Sequence, residues 1–290
     1  MLYPLEIINI PNIRRYKQRH ESILDYYYEH YSHFQNERSK RIDSIKEAIQ
    51  KNTSTFKFSS WHRIFDLQFI ENPLSAKGST LNDPGGRFNI GNIDQLKFPC
   101  FPALYIAENF ETAYREKNQI LPNKTFDEGL SSDDLSLTNQ NSTVDLLLNG
   151  YVESVIDLTK EESLKDFYKV ISDIKLPKHL EKKSQRLNLS TMYHVQSYKT
   201  LRKSILQDNW RQLPMQVDIP SNSQIFGQLA HIAQIEGIVY PSRMSAALKC
   251  LAIFPKNFMN SNSYIKIQDN NKPQNINFTE LSSGTFQYMY

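Results

Sequence analysis

The sequence predicts an α+β fold, because short strand-like runs and helical segments follow one another without the regular strand–helix–strand alternation of a doubly wound sheet. Three observations support this prediction: a long N-terminal stretch with helical periodicity, several short buried apolar runs, and a cap-and-helix pattern directly after one of these runs. A chain of 290 residues has room for one large domain or for a domain with an added lobe.

The N-terminal stretch is predicted to be helical. Residues 14–51 contain neither glycine nor proline, and Ile23, Tyr27 and Phe34 recur at helical spacing. This pattern predicts one long helix or two shorter ones, within an N-terminal helical extension over residues 1–58. Its many Lys and Arg side chains are expected to form a solvated face.

The next part of the chain predicts strands and loops around one helix. Trp61–Phe65 is expected to be a strand, and the Gly-, Pro- and Asn-rich segment Lys77–Gly91 a loop or irregular strand. The run ALYIA at Ala103–Ala107 predicts a short buried strand. Asn109 is then placed to cap a helix that carries Glu116.

A polar stretch near residues 121–143 separates this part from the second half of the chain. Its Ser, Asp, Asn and Thr residues predict an exposed insertion or loop. Val152–Leu158 then alternates like a strand, and residues 160–171 have a helical pattern. The basic segment Lys178–Lys203 is interpreted as a solvated helical face, with a phosphate or nucleic-acid contact as the alternative.

The remaining elements are short. Ser223 is expected to cap a helix, and Gly237 to end it before a strand at Ile238–Tyr240. Further strands are predicted at Leu251–Phe254 and Tyr264–Ile267. We expect a core domain over residues 59–257 and a strand-like tail over residues 258–290.

Composition excludes several classes of protein. The 34 basic and 31 acidic residues give a net charge of +3, too balanced for a dedicated nucleic-acid binder. Cys100 and Cys250 cannot form a disulfide framework and are expected to be reduced and buried. The N-terminus reverses the charge order of a secretory signal, and no run approaches the ~18–20 apolar residues of a membrane span. We therefore expect a cytoplasmic protein without a membrane partner.

Common catalytic motifs are missing from the sequence. It contains no phosphate-binding P-loop, no GxGxxG, no HExxH, no CxxC and no GxSxG pattern. His30 and His33 could meet on one helical turn, but no third ligand is near them in sequence, so a surface or packing role is favoured. No metal site is predicted.

Four polar residues instead stand where a predicted strand meets a loop. Arg63 lies in WHRIF, Arg87 in GGRFN, Tyr105 in ALYIA, and Ser242 directly after VYP. Loops held by a scaffold are common places for functional sites. Taken singly, however, each residue also has a structural explanation, such as an ion pair, a core tyrosine or a capped turn.

Taken together with Glu116, these residues resemble the RES domain, a family named for its Arg, Glu and Ser. The resemblance covers roughly residues 60–255 and rests on the blocks WHRIF, GGRFN, PALYIAENFETAYRE, DLTKEE and GIVYPSRMSAALKCLAIFP. The third and fifth blocks are the specific ones, because they combine residue identity, spacing and order along the chain.

The resemblance implies a fold similar to that of ADP-ribosyltransferases and an NAD⁺-degrading toxin of a toxin–antitoxin pair. NAD⁺ would be the substrate, no cofactor would be needed, and water or phosphate would accept the ADP-ribosyl group. A cognate antitoxin would be the protein partner. The N-terminal helices could also restrain the enzyme or form a homo-oligomer.

The residue types suit that chemistry. A carboxylate such as Glu116 can stabilise positive charge on the ribose, and guanidinium groups such as Arg63 and Arg87 match a diphosphate. Arg63 and Tyr105 are predicted to take part in catalysis with Glu116. Tyr105 and Ser242 are predicted to contact the nicotinamide.

Two other functions fit the sequence. The same pocket could transfer ADP-ribose to a protein side chain, as a protein ADP-ribosyltransferase does. Alternatively, the chain could be a non-enzymatic interaction module whose basic segment Lys178–Lys203 contacts nucleic acid, with binding that weakens steeply as salt rises.

Overall fold

The computed structural model describes residues 10–118, 142–189, 195–243 and 247–290. Within these residues the fold is α+β, as predicted, with helices packed on a seven-stranded mixed sheet. The helices are α1 (Ile10–Lys40), α2 (Ile42–Gln50), α3 (Gly78–Leu81), α4 (Phe110–Asn118), α5 (Lys165–Ile171), α6 (Lys178–Leu187), α7 (Tyr198–Ile205), α8 (Gln212–Val217) and α9 (Asn222–Ile232). The strands are β1 (Ser54–Asp66), β2 (Leu104–Ala107), β3 (Thr143–Asp157), β4 (Gly237–Pro241), β5 (Lys249–Ile253), β6 (Tyr264–Ile267) and β7 (Glu280–Leu281).

The N-terminal stretch forms two helices, which confirms one of the two predicted arrangements. The break falls at Arg41, whose φ of −111° is not helical. Helix α2 then buries Ile45 and Ile49 against the main core, which its apolar spacing explains. The polar insertion predicted near residues 121–143 lies almost entirely outside the described residues.

The sheet has the strand order β1-β2-β5-β4-β3-β6-β7, and β1 also pairs with β3. Five strands, β1, β2, β5, β4 and β3, therefore form a continuous hydrogen-bonded ring. All neighbouring pairs are antiparallel except β3 and β4, which are parallel. The tail strands β6 and β7 extend the sheet from β3.

Strands β1 and β3 are much longer than the strands predicted at Trp61–Phe65 and Val152–Leu158. They pair with each other along most of their length, so each supplies the hydrogen-bond partners that the other's ends need. The ladder is interrupted between Phe58 and Trp61, where Ser60 adopts a φ of 56°. A bulge of this kind bends a strand locally.

Alternating side chains give the sheet one hydrophobic core on each face. On β4, Ile238 and Tyr240 belong to the core beneath the helices, whereas Val239 belongs to the core beneath the C-terminal residues. Cys250 and Leu251 on β5 separate in the same way. The predicted strands in this region are therefore confirmed, with both faces buried.

Two predicted boundaries were wrong. Helix α9 is capped by Ser221 and not by Ser223, because Ser221 Oγ accepts from the Gln224 backbone N and Gln224 Oε1 accepts from the Ser221 backbone N. The helix ends at Ile232, and Gly237 begins β4 instead of ending the helix.

Two further expectations need correction. Cys250 is buried as predicted, but Cys100 is exposed, because it lies in a loop whose neighbours Phe98 and Phe101 point into the core. The predicted loop Lys77–Gly91 contains the short helix α3.

The basic segment Lys178–Lys203 contributes α6 and the start of α7 within its described residues. Some of its charges are paired on the surface: Lys183 contacts Glu29 at 2.8 Å, and Lys199 contacts Glu161 at 2.8 Å. Across the described parts of the chain, no helix combines the length and apolarity that crossing a membrane requires.

Candidate active site

Glu116 and Ser242 meet directly, although 126 residues separate them in sequence. Ser242 Oγ donates to Glu116 Oε1 at 2.7 Å, and the backbone N of Arg243 donates to the same oxygen at 3.1 Å. Hydrogen bonds to a carboxylate are among the stronger ones in proteins. The structure thus brings together the two most specific blocks of the RES pattern.

Local structure explains both positions. Asn109 caps α4 as predicted, since its Oδ1 accepts from the Thr112 backbone N at 2.9 Å. Glu116 lies in the last turn of that helix. Ser242 directly follows β4 and is only 2% exposed, and its backbone N donates to the Leu248 carbonyl at 2.8 Å. The serine side chain is therefore held where the strand ends.

Tyr105 lies on β2 and holds the loop that contains Arg87. Its hydroxyl donates to Asn89 Oδ1 at 2.9 Å and accepts from the Phe88 backbone N at 2.9 Å. Burial raises the pKa of the Tyr105 phenol above its ordinary range, so the hydroxyl stays protonated at neutral pH. A Cβ at Gly86 would lie 2.5 Å from this hydroxyl, so any larger residue there would displace the tyrosine.

Helix α9 supports the same loop through Gln224, a residue that sequence reasoning missed. Its buried Nε2 lies within hydrogen-bond distance of three carbonyls, those of Pro84 (2.8 Å), Asn89 (3.1 Å) and Gly86 (3.3 Å). The Ser-x-x-Gln pattern at residues 221–224 is a capping-box signal that could have located the helix start, but not the contact with the loop.

Arg87 is a buried cation. It is 6% exposed, its Nη2 donates to the Gln207 carbonyl at 3.1 Å, and its guanidinium lies 5.7 Å from the centre of the Tyr240 ring. Its buried Nε has no hydrogen-bond partner among the described residues. Within the part of the chain that the structure describes, no carboxylate forms a salt bridge with Arg87. An anionic ligand could accept a hydrogen bond from the Arg87 Nε and also balance the charge of the guanidinium.

Arg63 makes a different set of contacts. On β1, its guanidinium donates to the carbonyls of Pro73 (2.7 Å), Ser75 (2.8 Å) and Tyr105 (3.4 Å). Desolvation lowers its pKa to about 10, which still leaves it charged at neutral pH. Arg63 therefore ties β1 to β2 and to the 73–75 segment, and its donors point to backbone oxygens.

Two buried residues that the sequence did not single out complete the site. Burial raises the pKa of Tyr240, and the nearby Cys250 and Glu116 raise it further. Burial also raises the pKa of Cys250, which contacts Ser242 and Tyr240. Tyr240 lies on β4 and Ser242 directly follows that strand two residues later, so strand periodicity is the one sequence signal that places both side chains on one face.

Two more arginines lie close to this region. Arg243 Nη1 donates to the Asp208 carbonyl at 2.8 Å, next to the Gln207 carbonyl that Arg87 contacts. The guanidinium of Arg211 lies over the Trp210 ring at 4.7 Å, and its charge acts to lower the pKa of Tyr105, against the larger effect of burial. The turn at residues 207–211 thus gathers positive charge near the site.

The histidines are placed elsewhere. His30 is buried on α1 and its ring lies tilted against Phe34, with ring centres 4.6 Å apart, and His33 Nε2 contacts the Lys175 carbonyl at 2.9 Å. These contacts agree with the predicted packing role. No group of three or more metal-ligating side chains occurs among the residues that the structure describes.

These observations define an α+β protein with a hydrogen-bonded glutamate–serine pair and a buried arginine beside it. No protein-family model matches the chain, and no curated protein matches it in sequence. Among solved structures, the chain is similar to one in the crystal structure of the M. tuberculosis MbcT-MbcA toxin-antitoxin complex. The TM-score is 0.41 and the identity 14%, over 85% of this chain and 96% of that chain.

Proposed function

We propose that the protein cleaves the nicotinamide–ribose bond of NAD⁺ and passes the ADP-ribosyl group to water or inorganic phosphate. The observation that carries the proposal is the contact of Ser242 and the Arg243 backbone N with Glu116 Oε1. It joins the blocks of the RES pattern that contain the residues expected to face the reacting bond.

Glu116 stabilises the transition state in this proposal. When the bond breaks, its electron pair goes to the nicotinamide nitrogen and neutralises the positive charge there. Positive charge then develops on the ribose, and a nearby carboxylate stabilises it. The acceptor oxygen forms the new C–O bond and releases a proton to solvent. Two donors hold the Glu116 carboxylate in one orientation, which favours a preorganised site.

Arg87 binds the diphosphate in this proposal. The support is its burial, its unpartnered Nε and the lack of a salt bridge with any described carboxylate. A guanidinium can bind phosphate oxygens in a bidentate fashion. Arg63 is better suited to positioning, because a diphosphate would compete with three backbone carbonyls for its donors.

Tyr105 and Ser242 contact the nicotinamide in this proposal. The Tyr105 hydroxyl is occupied by Asn89 and Phe88, so the tyrosine would act through its ring face. Ser242 can accept a hydrogen bond from the carboxamide while it donates to Glu116.

The test is incubation of the purified chain with NAD⁺, with and without inorganic phosphate, followed by chromatography of the products. We expect free nicotinamide together with ADP-ribose or its phosphorylated form. The variant Glu116→Gln should lower the rate by about 100-fold or more, because it removes the charge that stabilises the transition state. Glu111→Gln is the matched control, since Glu111 lies on the same helix and pairs with Arg115 on the surface.

Three outcomes would contradict the proposal: intact NAD⁺, equal activity of Glu116→Gln and the parent chain, or transfer of adenylate label to a protein. The last would indicate a protein ADP-ribosyltransferase. The RES resemblance further supports a role as a toxin held by a cognate antitoxin. Cells that express the parent chain should then lose NAD⁺ and stop growing, and cells that express Glu116→Gln should not.

A further inference from the structure

The structure contains a cavity of about 700 Å³ that the proposed reaction does not use. It lies between α1 and helices α5 to α9, and none of the five residues of the proposed site lines it. Its volume falls in the ~300–1,000 Å³ range that is typical of sites for small molecules.

The cavity walls are mainly apolar. Aromatic and aliphatic side chains from several helices line them, among them Phe34, Ile171, Ile205, Leu213 and Phe226. Such walls favour a ligand with a sizeable apolar part.

One cation is placed among these apolar groups. Arg38 lines the cavity from the end of α1, where it is half-buried. Its Nη2 donates to Gln35 Oε1 at 3.1 Å, and its guanidinium lies 5.9 Å from the centre of the Tyr31 ring. Within the described residues it forms no salt bridge, whereas Arg41, one turn on, binds Glu37 at 2.6 Å.

Desolvation lowers the pKa of Arg38 to about 10, so the guanidinium remains charged at neutral pH. A desolvated charge without an opposite charge is unfavourable, and a bound anion would compensate it. The cavity thus carries a charge that its described lining does not neutralise.

The remaining charged residues of the lining are also mainly cationic. Lys175 and Lys178 are exposed where the cavity meets the surface, and Glu181, also exposed, is the one carboxylate among the described lining residues. Burial lowers the pKa of His30 to about 4, so this lining residue is neutral at pH 7. The cavity therefore combines apolar walls with a net positive charge.

We propose that this cavity binds an amphiphilic carboxylate, with the carboxylate on Arg38 and the aliphatic tail against the apolar walls. Charge complementarity disfavours a cationic amphiphile, and Arg38, set among the apolar walls, favours a carboxylate over a neutral lipid. The proposal does not depend on NAD⁺ cleavage.

The test measures calorimetric binding of dodecanoate, dodecanol and dodecylammonium to the full chain without NAD⁺. We expect dodecanoate to bind at least about 10-fold more tightly than dodecanol, since a hydrogen bond between charged groups is worth roughly this factor. Dodecylammonium should bind more weakly still. Equal affinities, or no binding of dodecanoate, would overturn the proposal.

Variants locate the site. Arg38→Met should lower dodecanoate affinity to the level of dodecanol and leave dodecanol affinity unchanged, and Arg38→Lys should retain part of the preference. Arg41→Met is the matched control, because Arg41 lies beside the same helix end outside the cavity, and it should bind dodecanoate as the parent chain does. Unchanged dodecanoate binding by Arg38→Met would overturn the assignment.

Two further comparisons make the result unambiguous. If Arg38→Met does not fold, the comparison of the three ligands on the parent chain decides the matter alone. The Glu116→Gln variant should bind dodecanoate normally, so failure of the proposed enzymatic function and failure of this inference give different results.

Discussion

The amide of Gln224 holds the loop that carries Arg87. It reaches the carbonyls of Pro84, Gly86 and Asn89, while Asn89 in turn accepts from the Tyr105 hydroxyl. Gln224 and Asn89 are fully buried, so solvent cannot replace the amide as the donor to the Asn89 carbonyl. The position of the Arg87 guanidinium therefore depends on the Gln224 side chain of helix α9.

We expect Gln224→Leu to lower the free energy of unfolding by about 2–3 kcal/mol, because several buried carbonyls lose their donor. Under the proposed function it should also slow NAD⁺ cleavage, since the 84–89 loop relaxes. Urea denaturation and nicotinamide release measure the two effects. Gln228→Leu, at a half-buried position on the same helix, is the control; equal loss in both variants would argue against this role of Gln224.

Ser242 orients the Glu116 carboxylate, and the effect of this on the rate of the proposed NAD⁺ cleavage can be measured. Under the proposed function, Ser242→Ala should reduce kcat/KM for NAD⁺ cleavage by about 10-fold, because it removes one of the two hydrogen bonds that orient Glu116. Ser172→Ala removes an exposed hydroxyl that bonds only its own helix end, and it should leave the rate unchanged. Full activity of Ser242→Ala would contradict the assigned role.

Sequence reasoning singled out Glu116 and Ser242, which the structure places in contact, but not most of the residues around them. The two residues belong to blocks with recognisable identity and order, and their contact agrees with that pattern. Gln224 and Tyr240 lie in ordinary helix and strand patterns, and their roles arise only from tertiary contacts. Arg63 illustrates the same limit, because sequence cannot tell an arginine that binds phosphate from one that binds carbonyls.

At the scale of elements, helix α9 packs unusually closely on the GGRFN loop. A Cβ at Gly227 would overlap the Phe88 carbonyl oxygen, so glycine is required for the helix to reach the loop. The same helix lines the cavity with Phe226 and Leu229. It therefore lies in contact with both the candidate active site and the proposed carboxylate site.

Gly227→Ala should destabilise the protein by about 1–3 kcal/mol, as overpacking of a close contact does. The helix would have to move away from Phe88, so the 84–89 loop should also lose order. Gly284→Ala is a matched control, because a Cβ there would meet a single atom at 3.9 Å. The midpoints of thermal unfolding compare the two variants, and equal midpoints would contradict the overlap.

Predicted elements agree with the structure where local pattern and tertiary environment point the same way. The Asn109 cap, the β2 run and the Tyr264–Ile267 strand are of this kind. The lengths of β1 and β3 could not be predicted in this way, because the ends of these strands are stabilised by pairing with each other across a long sequence separation. The cap of α9 was misplaced because two serines stand two positions apart, and only one makes the reciprocal bond with Gln224.

At the scale of the whole molecule, the helices and the sheet share one main core. Ile45 and Ile49 from α2 lie in the same hydrophobic cluster as Phe226 and Phe254. The second core, on the other face of the sheet, joins Trp61 to Phe258 and Ile265 from the C-terminal part. The N-terminal helix α2, the central sheet and the C-terminal residues therefore depend on each other for stability.

The buried histidines predict how stability depends on pH. Burial lowers the pKa of His30 and of His231 to about 4, below the ordinary value of 6.5. The unfolded chain therefore takes up these protons first as the pH falls. The stabilisation is fully present above pH 6.5 and is lost progressively towards pH 4.

We expect His30→Leu to lose less stability than the parent chain between pH 7 and pH 5, by about 1–2 kcal/mol. Urea denaturation at the two pH values measures the difference. His20→Leu, at an exposed position on the same helix, should keep the parent's pH dependence. An unchanged slope for His30→Leu would show that this ring does not contribute.

The tail also contacts the segment that Arg63 holds. The Met289 carbonyl accepts from the Ala76 backbone N at 2.7 Å, and Arg63 donates to the neighbouring carbonyls of Pro73 and Ser75. During translation this clamp cannot close until Met289 has left the ribosome. A nascent chain therefore lacks this contact beside the Arg63-bound segment until residue 289 has emerged.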